Sequence, residues 1–415
     1  MFRSAPHALL TCLAILLCAL PCPAAGDEAN SSEFGTITGQ FRTFYFTQRN
    51  KTGGGSFNNV KESLAAGGYL KYETPWLADH FGAGAAGYFS EPLTETFNQK
   101  RRGGTGVLSS RNNGIQALGE AYLKARYAGS EARVWRQRID TPFINANDGR
   151  ILAQTFEAYG FTSRDVEDLE FSLFWVDKEK ARDTELFVSM TEMAGLQGTN
   201  GGVLMTGADW QAADKLPLRF WNYYAPDLDN TFFTQAKYTF GDPKDLALEL
   251  MVQGVDQRSV GDQRNGSYNG AEAGLQGVLK VDGFDFYLGA SQVDGSKGIR
   301  TSWSDYPFFN YMMAYSFNRA GERSALVGVG YDFSRIGFDG FKANVKAGFG
   351  ATPDSGPHAS CDRSEYDLNM TYAFDGALKG WTILNRWSYQ DEDETMGGHD
   401  GFQVRLRLEY NFQLL

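Results

Sequence analysis

Apolar and polar residues alternate along most of this chain with a period of two. From Gly35 onward no stretch keeps the 3.6-residue apolar spacing of a packed helix, so the chain reads as strand after strand. The C-terminal segment is the clearest, with Val404, Leu406, Leu408, Tyr410 and Phe412 alternating with Gln403, Arg405, Arg407, Glu409 and Asn411. The same beat runs through Tyr366, Leu368, Met370 and Tyr372, through Phe341, Ala343, Val345, Ala347 and Phe349, and through Leu246, Leu248, Leu250 and Val252. Each run lasts about ten residues, the length a tilted strand needs to cross a bilayer.

The joints between these runs are short or long in alternation. Residues 76–79, 128–131, 241–245, 282–283 and 375–380 read as tight turns; 48–61, 90–114, 139–157, 179–201, 257–269 and 294–323 read as long loops. One tight end and one loopy end is the layout of an outer-membrane barrel, with periplasmic turns and extracellular loops. The pattern from Gly35 to Phe412 predicts about eighteen strands, an even number that closes an all-β antiparallel transmembrane β-barrel.

A soluble sandwich would share the alternation, and the charges decide against it. Arg42, Lys71, Glu73, Glu120, Lys124, Lys237, Glu272, Lys280, Arg386 and Arg405 all lie on polar faces of strands. A wide barrel gives them a watery lumen and gives the apolar set to lipid, leaving no charge buried without a partner. Aromatics gather near strand ends, at Phe44-Tyr45-Phe46, Trp76, Trp387, Tyr389 and Phe412, as interfacial girdles do.

The N-terminus predicts how the chain reaches a membrane. Arg3 precedes an apolar run over residues 8–20 (ALLTCLAILLCAL), then a Pro break and Pro23-Ala24-Ala25-Gly26. A basic start, a short apolar stretch and a small-residue exit make a secretory signal peptide, while a membrane anchor needs roughly 20 apolar residues. The reading is a signal peptide over 1–25, a single barrel domain over 26–415, and localisation in the bacterial outer membrane.

Composition adds limits. Apolar residues are 42% of the chain, aromatics 14%, and there are 48 glycines. The mean hydropathy of -0.38 excludes a bundle of transmembrane helices. The formal charge is -11 and the first segment carries only Arg3, so the exported part is more acidic still, which opposes nucleic-acid binding. Three of the four cysteines, Cys12, Cys18 and Cys22, fall in the signal segment; Cys361 alone remains, so neither an internal disulfide nor a CxxC metal cluster can form.

Several stretches resemble the OprD family of outer-membrane porins, the substrate-specific channels of Gram-negative bacteria. They are residues 67–77 (GGYLKYETPWL), 119–127 (GEAYLKARY), 136–150 (RQRIDTPFINANDGR), 177–195 (DKEKARDTELFVSMTEMAG) and 318–338 (NRAGERSALVGVGYDFSRIGF). The third and fifth are the most specific, because β alternation explains neither. The resemblance implies an eighteen-stranded channel, monomeric or loosely trimeric, narrowed by inward-folded loops. It also implies passive diffusion of small hydrophilic solutes, carboxylates or amino acids, with no cofactor. One departure is the terminal Gln413-Leu414-Leu415, where the family favours an aromatic residue.

Selectivity is expected where the third long loop leaves its strand. If Val134 faced lipid, Arg136 and Arg138 would too, at about 2–4 kcal/mol each at the bilayer midplane. The opposite phase places Val134, Arg136, Arg138 and Asp140 inward and Trp135, Gln137 and Ile139 outward. Beyond Thr141-Pro142 the loop carries Asn145, Asn147, Asp148, Gly149 and Arg150. Arg136, Arg138, Asp140, Asp148 and Arg150 are therefore the candidate constriction; mutual pairing that merely holds the loop is the alternative. The resemblance adds the seventh long loop, with Ser304 and Asp305, as the other wall.

Other signals carry less. Residues 82–87 (GAGAAG) match a dinucleotide fingerprint but lie inside a strand with no helix after it. His80, His358 and His399 are far apart, and no HExxH, GxSxG or P-loop is present, which disfavours a barrel phospholipase or protease. Asp391-Glu392-Asp393-Glu394 lacks the Gly and closing Glu of a calcium loop and reads as a solvated acidic loop, with weak divalent binding that bridges lipopolysaccharide as the alternative. A plugged adhesion barrel is the remaining rival, disfavoured by so much lumenal charge. The partners expected are small solutes and outer-membrane lipid, including lipopolysaccharide.

Overall fold

The computed structural model describes residues 33–52, 56–243, 245–304 and 308–414. The signal segment and the candidate Asp305 lie outside these residues. One antiparallel sheet contains β1 (Thr36–Thr52), β2 (Ser56–Glu73), β3 (Phe81–Pro92), β4 (Ile115–Tyr127), β5 (Ser130–Gln137), β6 (Thr155–Val166) and β7 (Leu169–Lys180). It continues through β9 (Val203–Ala213), β10 (Leu216–Ala225), β11 (Asp229–Asp242), β12 (Leu246–Ser259), β13 (Asn269–Val281) and β14 (Phe284–Gly295). The last members are β15 (Arg323–Asp332), β16 (Phe341–Ala351), β17 (Arg363–Ala373), β18 (Trp381–Glu392) and β19 (Gly401–Gln413). β8 (Val188–Ser189) pairs only with β7 and leads into a one-turn helix, α1 (Met190–Met193). β7 pairs directly with β9, and β19 returns to β1 from Thr38↔Gln413 to Asn50↔Gly401. The eighteen long strands thus close a barrel with no free edge.

The alternation expected to face lipid does so. Leu406, Leu408, Tyr366, Leu368, Tyr372, Val345 and Leu250 are exposed on the outer wall. Rings pack together at the strand ends near the tight turns, Phe284 tilted on Tyr331 (4.3 Å) and Trp381 stacked on Tyr410 (4.8 Å). The glycine-rich 82–87 segment lies within β3, where a Cβ on Gly84 would stand 2.5 Å from Tyr122 Cζ, so small residues there make room for a ring crossing the wall.

One predicted loop is not a loop. Residues 48–52 and 56–61 continue the β1–β2 ladder, which runs out to Thr52↔Ser56. The polar, Gly-rich sequence suggested a loop, but backbone pairing tolerates polar side chains on both faces once a hairpin projects beyond the membrane.

Candidate channel site

Two loops fold into the barrel and divide its lumen. Residues 138–154 leave β5 and cross the interior. Their first leg packs Ile139, Phe143 and Ile144 against the inward side chains Phe156, Val176, Met205, Tyr223 and Phe233. Phe143 sits 5.6 Å from the Tyr223 ring and 6.0 Å from Phe308 of the 296–322 loop. The Tyr223 hydroxyl accepts from Phe143 N and donates to Thr141 Oγ1, both at 3.1 Å, which satisfies the polar atoms of this dry contact. Trp303 donates its Nε1 to the Met190 carbonyl of α1 at 2.8 Å.

Ser304 ties the two loops together. Its Oγ donates to Phe143 O at 3.0 Å and accepts from Asn145 N at 2.6 Å. The second leg of the 138–154 loop then crosses to the opposite wall, where Ile151, Leu152 and Ala153 pack on Phe44, Phe46, Ala65 and Tyr88.

Ion pairs fasten this crossing. Arg42 of β1 is 3% exposed; its Nη1 donates to Asp148 Oδ1 at 2.6 Å and to the Arg150 carbonyl at 2.7 Å, and its Nε to Glu409 Oε2 at 2.6 Å. Arg138 Nη2 lies 3.3 Å from Asp148 Oδ2, with the guanidinium 5.4 Å from the Tyr69 ring centre. Burial opposes its charge, but Tyr88, Asp148, Glu120 and Tyr69 more than offset that and raise its pKa above the ordinary arginine value. Arg138 therefore stays charged at any working pH. Arg150 Nε donates to Thr105 O at 2.9 Å, and its guanidinium lies 4.8 Å over Phe46.

Between the loops and the β18–β19–β1 wall lies a cavity of about 860 Å³ whose lining includes Phe46, Arg150, Arg182, Ser304, Met313, Tyr315, Arg386 and Arg405. Met313, Ala314 and Tyr315 of its lining are held by Glu365 and Asp367 of β17. Glu365 accepts the backbone N–H groups of Ala314 and Tyr315, each at 2.7 Å, and Asp367 accepts that of Met313 at 3.0 Å. These carboxylates hold the tip of the 296–322 loop.

The strand phase expected for Val134 to Ile139 is reversed at every residue but Trp135, which is exposed as expected, and Arg138, which lies inside. Arg136 shares its register with Ala121 and Glu157, on the face of exposed Val134, Leu123 and Tyr159, which is the outer wall. Its Nε pairs with Glu157 Oε1 at 3.1 Å, and its guanidinium lies between the Trp135 and Phe187 rings. Gln137 and Ile139, expected outside, are buried inside, with Gln137 Nε2 donating to Ala158 O at 3.0 Å. The lipid penalty was charged at the midplane, yet it falls to about 0–1 kcal/mol near the interface, and Glu157 supplies the counter-charge. Trp135 adds a left-handed residue (φ 86°) that no alternation anticipates. Arg138 is inside nonetheless, because β5 ends at Gln137 and the chain turns into the lumen.

Of the candidates, the structure brings Arg138, Asp148, Arg150 and Ser304 into the lumen crossing and sets Arg136 apart. Asp140 is exposed and bridges to Asn145 through the backbone. Sequence reasoning missed Arg182 and noted Arg386 and Arg405 only as lumenal charges. The two wall arginines become neighbours when β18 pairs with β19, which sets Arg386 opposite Arg405.

The specific 318–338 motif does structural work. Glu322, fully buried, takes Arg319 Nη2 at 2.7 Å and Arg363 Nη2 at 2.8 Å, anchoring the end of the 296–322 loop. Asp332 pairs with Lys342 at 2.8 Å across a tight turn.

The profile of the OprD family of outer membrane porins matches residues 33–414. This chain belongs to the OprD family. It is an outer-membrane channel of the substrate-specific kind, not an enzyme. Solved structures agree in fold. Pseudomonas aeruginosa OccK9 (OpdG) superposes with a TM-score of 0.83 at 20% identity, over 93% of this chain and 100% of that one. Acinetobacter baumannii OccAB3 gives 0.82 at 18% identity, over 92% and 99%. P. aeruginosa OpdK, solved with vanillate, gives 0.78 at 20% identity, also over 92% and 99%. A search of curated protein sequences finds no match.

Proposed function

We propose that this OprD-family channel passes small carboxylate-bearing solutes by passive diffusion, selecting them at the cavity between the inward loops and the β18–β19–β1 wall. One observation carries the reading: Arg386 and Arg405 line that cavity and form no ion pair among the described residues. Guanidiniums held by neutral partners keep their field for a solute, and Arg can receive a carboxylate through two parallel hydrogen bonds. Arg138, Asp148 and Arg150 form the narrow side of the passage, with Ser304 and Asp140 as its loop wall. That OpdK was solved with vanillate, a small carboxylate, supports the same class here. Residues 1–25 are the export signal, removed before the barrel inserts among outer-membrane lipid and lipopolysaccharide.

The test is purified protein in liposomes and planar bilayers. Carboxylates and anionic amino acids should enter faster than neutral sugars of equal size, and the reversal potential in a salt gradient should report anion preference. Equal entry of sugars and carboxylates would end the selectivity reading.

A further inference from the structure

The segment between β3 and β4 is basic in an acidic chain. Residues 93–114 carry Lys100, Arg101, Arg102 and Arg111 against the single carboxylate Glu95, whereas the chain as a whole has a formal charge of -11. The segment is fixed in place. The β2–β3 ladder ends at Ala65↔Pro92, so β2 outruns its neighbour and leaves the edge of residues 56–64 without a strand beside it on that side. The segment covers that edge. Asn98 Oδ1 accepts from Leu64 N at 2.8 Å, Asn98 Nδ2 donates to Leu64 O at 2.7 Å, and Asn112 Nδ2 donates to Glu62 O at 2.9 Å.

Register shows which face these contacts lie on. Tyr45 pairs with Leu406 of the outer wall and Thr47 with Glu62, so Tyr45, Arg49 and Glu62 all face away from the lumen. Phe97 packs edge-on against Tyr45 at 5.4 Å. Arg102 Nη1 lies 2.9 Å from one oxygen of Glu62, and the other oxygen accepts from the Tyr45 hydroxyl at 2.8 Å. The short turn Lys100–Arg102 therefore rests on the lipid side of the rim, above an aromatic pair. From Ile37, opposite Tyr72 at the periplasmic end, β1 climbs to Arg49 by about 30 Å for a strand of ordinary rise and tilt. The apolar band of such a barrel is about 25 Å tall, so Arg49 stands at the level of the outer leaflet's headgroups.

Most cations on the outer face already have a carboxylate. Arg136 and Lys178 share Glu157, Arg102 takes Glu62, and Lys51, above Arg49, takes Asp400 and Glu394. Arg49, Lys100 and Arg101 are exposed and form no ion pair among the described residues; Arg101 Nε donates to Gln99 Oε1 at 3.1 Å. Guanidiniums present a planar fork that matches phosphate, and cations at headgroup height meet phosphate in the leaflet around them. We infer that this rim binds the phosphates of a phosphorylated glycolipid, the lipopolysaccharide of the outer leaflet, through Arg49, Lys100 and Arg101, with the Tyr45–Phe97 pair beneath them against its acyl chains. The inference rests on placement in the outer membrane and is independent of the solute carried.

The experiment incubates the purified barrel in dodecyl maltoside with bisphosphorylated lipid A and counts retained lipid by native mass spectrometry. Potassium chloride conductance is measured in parallel. Wild type should hold lipid A about tenfold more tightly than the triple variant Arg49→Gln, Lys100→Gln, Arg101→Gln, the scale of a few partly screened surface cations. Conductance should be the same in both. Lipid A stripped of its phosphates should bind wild type as weakly as the variant binds the intact lipid, and Arg136→Gln, whose cation is already paired, should retain lipid as wild type does. Equal retention by a folded triple variant overturns the site. So does equal retention of the dephosphorylated lipid, which would leave acyl-chain contact alone, and so does displacement by millimolar inorganic phosphate, which would make the rim a site for free anions. If the triple variant fails to fold, the comparison of the two lipids on wild type and the single variant Arg101→Glu decide. Loss of conductance in wild type would strike the channel reading and leave the lipid result standing.

Discussion

On one side of the lumen Phe156, Val176, Met205, Tyr223 and Phe233 point inward from β6, β7, β9, β10 and β11; on the other, Arg42, Arg386, Arg405 and Arg407 do so from β1, β18 and β19. The backbone ladder is the same on both sides. On the first side the inward apolar surface would be wetted in an empty barrel, so it draws the 138–154 and 296–322 loops onto it, as lipid is drawn to the outer wall. On the second side the charges keep water, and besides the small apolar patch of Phe44 and Phe46 the loops approach where Asp148 or a backbone carbonyl meets an arginine. The seat is hydrophobic and the passage is polar, and one loop spans both.

This contrast is open to attack from its strongest point downward. Phe143→Ala should do most harm, because it empties the contact between Tyr223, Phe233 and Phe308; a loss of about 3–5 kcal/mol is expected for such a truncation. The temperature at which the folded gel band disappears should fall, and single-channel current should become larger and noisier. An unchanged current would mean that the apolar seat does not hold the loops.

Arg42→Met should cost less, about 2 kcal/mol, since Asp148 and Glu409 each lose their shortest ion pair but keep Arg138 and Arg407, and Asp148 is partly solvated. Restoring neutrality with Asp148→Asn in the same protein should recover part of the loss. If the double variant is no more stable than the single one, the pair is not what fastens the crossing.

The double variant Arg386→Gln, Arg405→Gln leaves the seat alone. Carboxylate uptake should drop about tenfold, equivalent to ~1.4 kcal/mol, while sugar uptake changes little. The reversal potential should move toward cations. A parallel fall for sugars would point to blockage rather than lost attraction.

The smallest effect separates two arginines that sequence grouped together. Arg136→Gln, on the outer wall, should leave ion preference where it is. Arg138→Gln should shift it modestly toward cations, because Asp148 retains Arg42. A shift from Arg136→Gln equal to that from Arg138→Gln would place both in the lumen and refute the register given above.

The barrel was legible because alternation is local: Leu406 and Arg407 take opposite faces whatever the rest of the chain does. Strand number, joint pattern and outer wall follow from that rule together with the bilayer's thickness. Alternation also carried a hint that went unread. Phe232-Phe233 and Tyr223-Tyr224 are consecutive apolar residues, which mark strands covered on both faces, by lipid outside and by loops within.

The inner geometry was not legible. Arg405 neighbours Arg386 across the single 393–400 loop but Phe46 across the whole length of the chain, and only barrel closure brings the latter pair together. Arg150 and Arg182 meet over Gly106 because three separate segments between strands come together there, and no spacing rule joins them. Arg136 shows the limit most sharply, since its face turned on depth in the membrane and on a left-handed Trp135, neither of which is written in a period of two. Sequence determined the wall because each strand meets lipid or water residue by residue; tertiary structure decided the passage because its charges are set by contacts between segments that only closure and loop packing bring within ion-pair distance.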